Sequence, residues 1–183
     1  MAAPIRALCP LLAVLAGVAA SLPATSLGAP RSKPRAVDAS GHTLLQSREL
    51  WATIDVCNPA DQPDTIGIRG SMPGNGEARE TMYMRFSVQY MDSTTGRWTD
   101  LSGDVSANFV AVGSAKSERQ AGASFELKPV PGKPAFTLRG VITFQWRRGT
   151  TVAASISRPT TAGRVSLAGA DPEGFSAATC LVG

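Results

Sequence analysis

From Leu50 onward, apolar and polar residues alternate in short runs, the period-two pattern of strands buried on one face. The clearest run sets Met82, Met84, Phe86, Val88 and Tyr90 on one face and Thr81, Tyr83, Arg85, Ser87 and Gln89 on the other. A second sets Phe136, Leu138, Gly140, Ile142, Phe144 and Trp146 against Thr137, Arg139, Val141, Thr143, Gln145 and Arg147. Arg148-Gly149-Thr150 then turns the chain, and Val152, Ala154 and Ile156 form the return strand of a hairpin. Shorter runs read as strands at Leu50–Cys57, Thr65–Arg69, Asn108–Val112, Ser124–Lys128 and Phe175–Val182. Turn clusters such as Asn58-Pro59, Met72-Pro73-Gly74-Asn75-Gly76 and Asp171-Pro172-Glu173-Gly174 separate them. No segment carries a helical apolar stripe over three turns. Seven or eight short strands in about 135 residues predict an all-β fold, a single antiparallel β-sandwich over residues 47–183. Met82, Phe86, Val88, Ile142, Phe144 and Trp146 are its expected inter-sheet core.

The N-terminus is patterned differently. Arg6 supplies a positive start, Ala7–Val18 an apolar stretch and Val18-Ala19-Ala20 a small-residue cleavage site, which reads as a secretory signal peptide over residues 1–20. Cleavage as late as residue 29 fits as well, and a retained signal anchor is the alternative. The stretch is short for a bilayer span, so none is expected in the mature chain. Cys9 lies early in the apolar stretch, behind Arg6-Ala7-Leu8 rather than the small residues a lipidated cysteine needs. Residues 21–46 are rich in Pro, Ala, Ser and Arg without period and read as a disordered linker. The expected location is secreted or extracellular, with the cell surface as a variant.

Charge then narrows the partners. Of 18 Lys and Arg in the 183 residues, Arg6, Arg31, Lys33 and Arg35 precede Ala36, leaving 14 basic residues against 14 acidic ones beyond it. A nucleic-acid surface needs surplus cations on the folded part, so nucleic acid is not expected as a partner. Loss of Cys9 with the leader leaves Cys57 and Cys180 in an oxidising compartment, where a disulfide is expected. Two separate buried thiols are the competing reading. The bridge would close a loop of about 120 residues, worth roughly 4 to 5 kcal/mol in the chain-entropy model.

Catalytic equipment is sparse. A serine or cysteine nucleophile needs a histidine base held by the fold, and the single histidine, His42, sits in the linker. Two paired cysteines and one histidine are too few for a zinc site, and no phosphate-binding glycine loop precedes a helix. The reading is therefore not an enzyme and no cofactor, although a pair of carboxylates across a cleft remains the alternative, an extracellular hydrolase. Asn58-Pro59-Ala60-Asp61-Gln62-Pro63-Asp64 offers oxygen ligands, making Asp61 and Asp64 a candidate calcium pair against the plainer reading of a turn. Tyr83, Arg85 and Trp98 form a candidate ligand surface suited to sugar stacking or an anionic wall polymer. Core packing for Trp98 and plain exposure for Arg85 are the competing reading.

Tyr83, Val88 and Tyr90, followed by the Gly96 turn and Trp98, resemble the central strand and the next strand of fibronectin type III and other immunoglobulin-like domains. The resemblance covers Leu50–Val182 as a pattern. Ala178 stands where antibody-type domains carry a tyrosine two residues before the second cysteine, and Cys57 to Cys180 spans nearly the whole domain. The resemblance thus implies a clamp between first and last strands lying side by side, rather than a central pin between sheets. Arg outnumbers Lys 14 to 4, and with the Ala-rich leader the chain resembles exported proteins of GC-rich bacteria. The functional expectation is a secreted or cell-surface, non-catalytic interaction or structural module. Its expected partner is a protein or a cell-envelope glycan; the alternative is a hydrolase or carbohydrate-binding domain with a carboxylate or aromatic site.

Overall fold

A computed structural model describes residues 43–101, 108–165 and 167–183. The expected signal peptide, His42 and all but the last residues of the expected linker lie outside them. The fold is nearly all β: β1 (Trp51–Cys57), β2 (Thr65–Met72), β3 (Glu77–Asp92), β4 (Arg97–Asp100), β5 (Val110–Ala115), β6 (Arg119–Glu126), β7 (Phe136–Arg148), β8 (Thr151–Pro159) and β9 (Cys180–Val182). No helix among the described residues is long and apolar enough to cross a membrane. One sheet has the order β1-β2-β6; the other has β4-β3-β7-β8, with β5 beside β3 and β9 beside β7. Every pairing between strands is antiparallel.

The two long alternating runs become β3 and β7, the centre of the larger sheet. Their register sets Met82 opposite Trp146, Met84 opposite Phe144 and Phe86 opposite Ile142, so the apolar faces coincide. All six expected core residues, including Val88, are buried. Trp146 keeps its indole N–H satisfied in the core by donating to the Pro73 carbonyl at 3.0 Å. Gly140 interrupts the apolar face of β7 because a Cβ there would stand 2.7 Å from Ile68 Cδ1, which crosses from β2 to fill the space. The expected linker ends earlier than residue 46. Leu44–Gln46 form a 3-10 turn, and Leu44, 1% exposed, joins the core because burying an apolar side chain outweighs the aperiodic sequence around it.

Cys57 and Cys180 are bridged, with α-carbons 5.5 Å apart across a sequence separation of 123. The bridge joins the first and last strands, but they do not lie side by side in one sheet. Cys57 ends β1 of the smaller sheet, and β9 is paired to β7 of the larger. It is therefore a pin between sheets, correcting the reading as a clamp between neighbours.

A bulge makes this possible. Ile54 faces Ile68, yet Val56 pairs with Gly67 and Cys57 with Ile66, so Asp55 is the extra residue. That insertion shifts the parity of β1 by one and turns Cys57 toward the inter-sheet space, where unbroken alternation from Ile54 would put Val56. Gly67 lies opposite the bulge: a Cβ there would come within 2.8 Å of Asp55 Oδ1 and of Val56 Cβ.

Between β8 and β9 the chain runs as a strap along the free edge of β1. Thr161 N–H donates to the Ala52 carbonyl, Ile54 and Ala177 exchange both backbone bonds, and Asp171 N–H reaches the Asp55 carbonyl. Of the expected strand Phe175–Val182, only Cys180–Val182 forms one. The earlier residues satisfy an edge through single bridges instead. Thr160 fixes the start of the strap, accepting from Gly140 N–H at 3.1 Å and donating to the Ala178 carbonyl at 2.6 Å.

Candidate binding face on the larger sheet

The outward residues of β3 and β7 form a face in which each polar residue has a register partner. Tyr83 lies opposite Gln145, Arg85 opposite Thr143, Ser87 opposite Val141 and Gln89 opposite Arg139. β8 continues the rows, with Ser157 beside Thr143 and Ser155 beside Gln145. On the other flank, β4 places Trp98 opposite Met91 and Asp100 opposite Gln89.

Three guanidinium groups on this face rest on aromatic rings. Arg147 stands 4.3 Å from the Tyr83 ring centroid and 4.5 Å from that of Phe109, while Arg85 stands 5.1 Å from the same Phe109 ring. At the opposite end Arg139 covers Trp98 at 4.4 Å. Cations are held there by the negative face of the ring. Hydrogen bonds fix the fork of each stacked β7 arginine: Arg147 Nε donates to Gln145 Oε1 at 2.7 Å, and Arg139 Nε to Gln89 Oε1 at 2.8 Å. Gln89 passes the contact on, its amide donating to Asp100 Oδ1 at 2.8 Å. Partial desolvation lowers the Arg139 pKa from its ordinary value, opposed by the negative charge of Asp100. Among the described residues no carboxylate lies within ion-pair distance of Arg85, Arg139 or Arg147.

The three residues expected as a ligand surface thus share one face but not one spot. Tyr83 and Arg85 belong to the cluster around Phe109. Trp98 is half-buried beneath Arg139 at the other end, outside the hydrophobic core. Phe109, Arg139 and Arg147 complete the face beyond the residues expected for it. Arg139 and Arg147 were legible as the polar face of their run, and pairing it with the Tyr83 face would have brought them in. Phe109 falls in the expected strand Asn108–Val112, but β5 starts only at Val110 and its register against β3 shifts twice, so alternation does not place the ring.

The outer face of the smaller sheet is occupied differently. Asp55, 5% exposed, receives Arg69 Nε at 2.8 Å, and Arg69 also donates to the Ala168 carbonyl of the strap. Burial raises the Asp55 pKa above its ordinary value, with the Arg69 charge acting against that rise. Thr53 shares a hydrogen bond with Ser176 at 2.7 Å, and Arg164 lies 5.2 Å from the Trp51 ring centroid.

In the candidate calcium loop, Asn58 and Asp64 both adopt positive φ, and Asn58 Oδ1 accepts the Asp64 N–H at 2.7 Å. The loop uses that oxygen to close itself across six residues. Among the described residues no three His, Cys, Asp or Glu side chains converge as a metal site, so Asp61 and Asp64 stand without a third.

Two cavities open near the β3–β4 turn and the loop of residues 128–135. One of about 190 Å³ is lined by Leu101, Leu127, Phe136, Leu138 and Val182. Its neighbour, of about 620 Å³, is lined by Tyr90, Asp92, Lys133 and Phe136 among others. Asp92 is committed to the turn, accepting the N–H groups of Thr94 and Thr95 at 2.8 and 3.2 Å, which lowers its pKa. No family model, curated protein or solved structure matches the chain.

Proposed function

We propose that the chain is an exported, non-catalytic binding module that recognises an anionic partner through the outer face of the larger sheet. The observation that carries this reading is the set of three arginines, each on an aromatic ring, none ion-paired among the described residues, and each partly or fully exposed. Stacking fixes each guanidinium before a partner arrives, which lowers the entropy cost of binding. Export is supported by the N-terminal pattern and by the disulfide, a bond that persists outside the cytosol. The strand order supports an immunoglobulin-like arrangement, with a first, second and sixth strand in one sheet and the central pair β3 and β7 in the other. The hydrolase reading finds less support: Asp92, the acid in the larger of the two cavities, is already bonded within its turn.

The test is binding of the purified chain to immobilised carboxymethyl cellulose and to unmodified cellulose. The carboxylated matrix should retain it, retention should weaken as salt rises, and Arg85→Gln with Arg147→Gln should lower it at least about tenfold. Equal retention on both matrices, or an unchanged double variant, would sink the reading.

A further inference from the structure

The cations of this face are not spread evenly. Arg85 and Arg147 converge on Phe109, and Arg139 stands alone on Trp98. Along β3 the first group lies at Tyr83 and the second at Gln89, the register partner of Arg139. Six residues of strand put them about 20 Å apart. Between Arg85 and the second group lies one uncharged row, Ser87, Val141 and Pro159, and beside Arg85 the Thr143 and Ser157 hydroxyls pair at 2.8 Å.

We propose that the partner is a linear glycan bearing carboxylates on spaced sugars, lying along β3 and β7 and engaging both cationic groups at once. This rests on the binding face assigned above and adds its ligand. Two properties select a glycan over a polyphosphate. The interval between the charges presents groups that both donate and accept, which matches sugar hydroxyls. A phosphodiester chain offers a charge at every link and wants cations at every link. The rings, moreover, already carry guanidinium groups, so they are not open platforms for unpaired bases. Chains reaching one group should bind weakly, and chains reaching both should gain by effective concentration.

Calorimetric titration with oligogalacturonates of increasing length tests this, with single-stranded DNA of equal charge as comparison. Affinity should rise at least about tenfold at the length that spans both groups, and Arg139→Gln should erase that rise while circular dichroism shows the fold intact. Affinity that grows smoothly with charge, or an Arg139→Gln variant with the same rise, overturns the two-group arrangement while leaving the anionic face standing. Tighter binding of the DNA overturns the glycan. Loss of all oligogalacturonate binding together with carboxymethyl cellulose binding overturns both readings.

Discussion

On the smaller sheet the outward side chains of β1, Trp51, Thr53 and Asp55, lie under or beside the strap, whereas on the larger sheet Tyr83, Arg85 and Arg147 stand in partial or full contact with solvent. Both faces hold a tryptophan beneath an arginine, Trp51 with Arg164 and Trp98 with Arg139. Trp51 is buried and Trp98 half-exposed. The same pair of residue types therefore does opposite work: under a strap it is packing, and on an open sheet it is a fixed cation. What separates the two is a segment with no strand period, between Thr160 and Cys180, which binds the β1 edge through backbone groups.

Opening the pinned side should have the largest effect. Reduction of Cys57–Cys180, or Cys57→Ser with Cys180→Ser, should cost roughly 4 to 5 kcal/mol by the chain-entropy model. Thermal melts with and without reductant check this, and an unchanged midpoint would mean that the strap holds the sheets unaided. Next comes the contrast between the inner and outer faces of the larger sheet. Trp146→Ala should cost about 3 to 5 kcal/mol, whereas Arg147→Gln, on the opposite face of the same strand, should stay within about 1 kcal/mol by urea titration. Similar losses in both variants would erase the distinction between core and binding face.

Gly67→Ala probes the bulge that aims Cys57 inward. The added methyl would crowd Asp55 and Val56, so a loss of about 1 to 3 kcal/mol is expected, together with easier reduction of the bridge. Stability equal to the parent would show that the bulge tolerates a side chain. Acid titration has the smallest effect and separates the covered carboxylate from the open one. Asp55 holds its proton more tightly in the folded chain than in the unfolded one, so its ionisation penalty is present above its raised pKa and relieved as pH falls from there toward 3.8. Asp92 has the opposite sign: its contribution is complete above 3.8 and lost as pH falls through its lowered folded value. Asp55→Asn should remove the acid-side gain in urea midpoint and leave the loss below 3.8, and parallel curves for variant and parent would reject the assignment.

Alternation alone determined a great deal here. It marked out the strands β3, β7 and β8, the inward residues from Met82 to Val88 and from Leu138 to Trp146, and the turn at Gly149, because side chains of a strand must point to opposite faces. It misplaced Val152, which a register shift after Trp146 sets opposite Arg147 and leaves exposed. Setting Cys9 aside in the expected leader left Cys57 and Cys180, the pair that forms the bridge. Tertiary structure decided which sheet each end of that bridge belongs to, since the bulge at Asp55 reverses parity without changing composition. It also decided which polar face is covered. A strap held by backbone hydrogen bonds leaves no hydrophobic period to read, because every residue except proline offers the same N–H and carbonyl to an open edge.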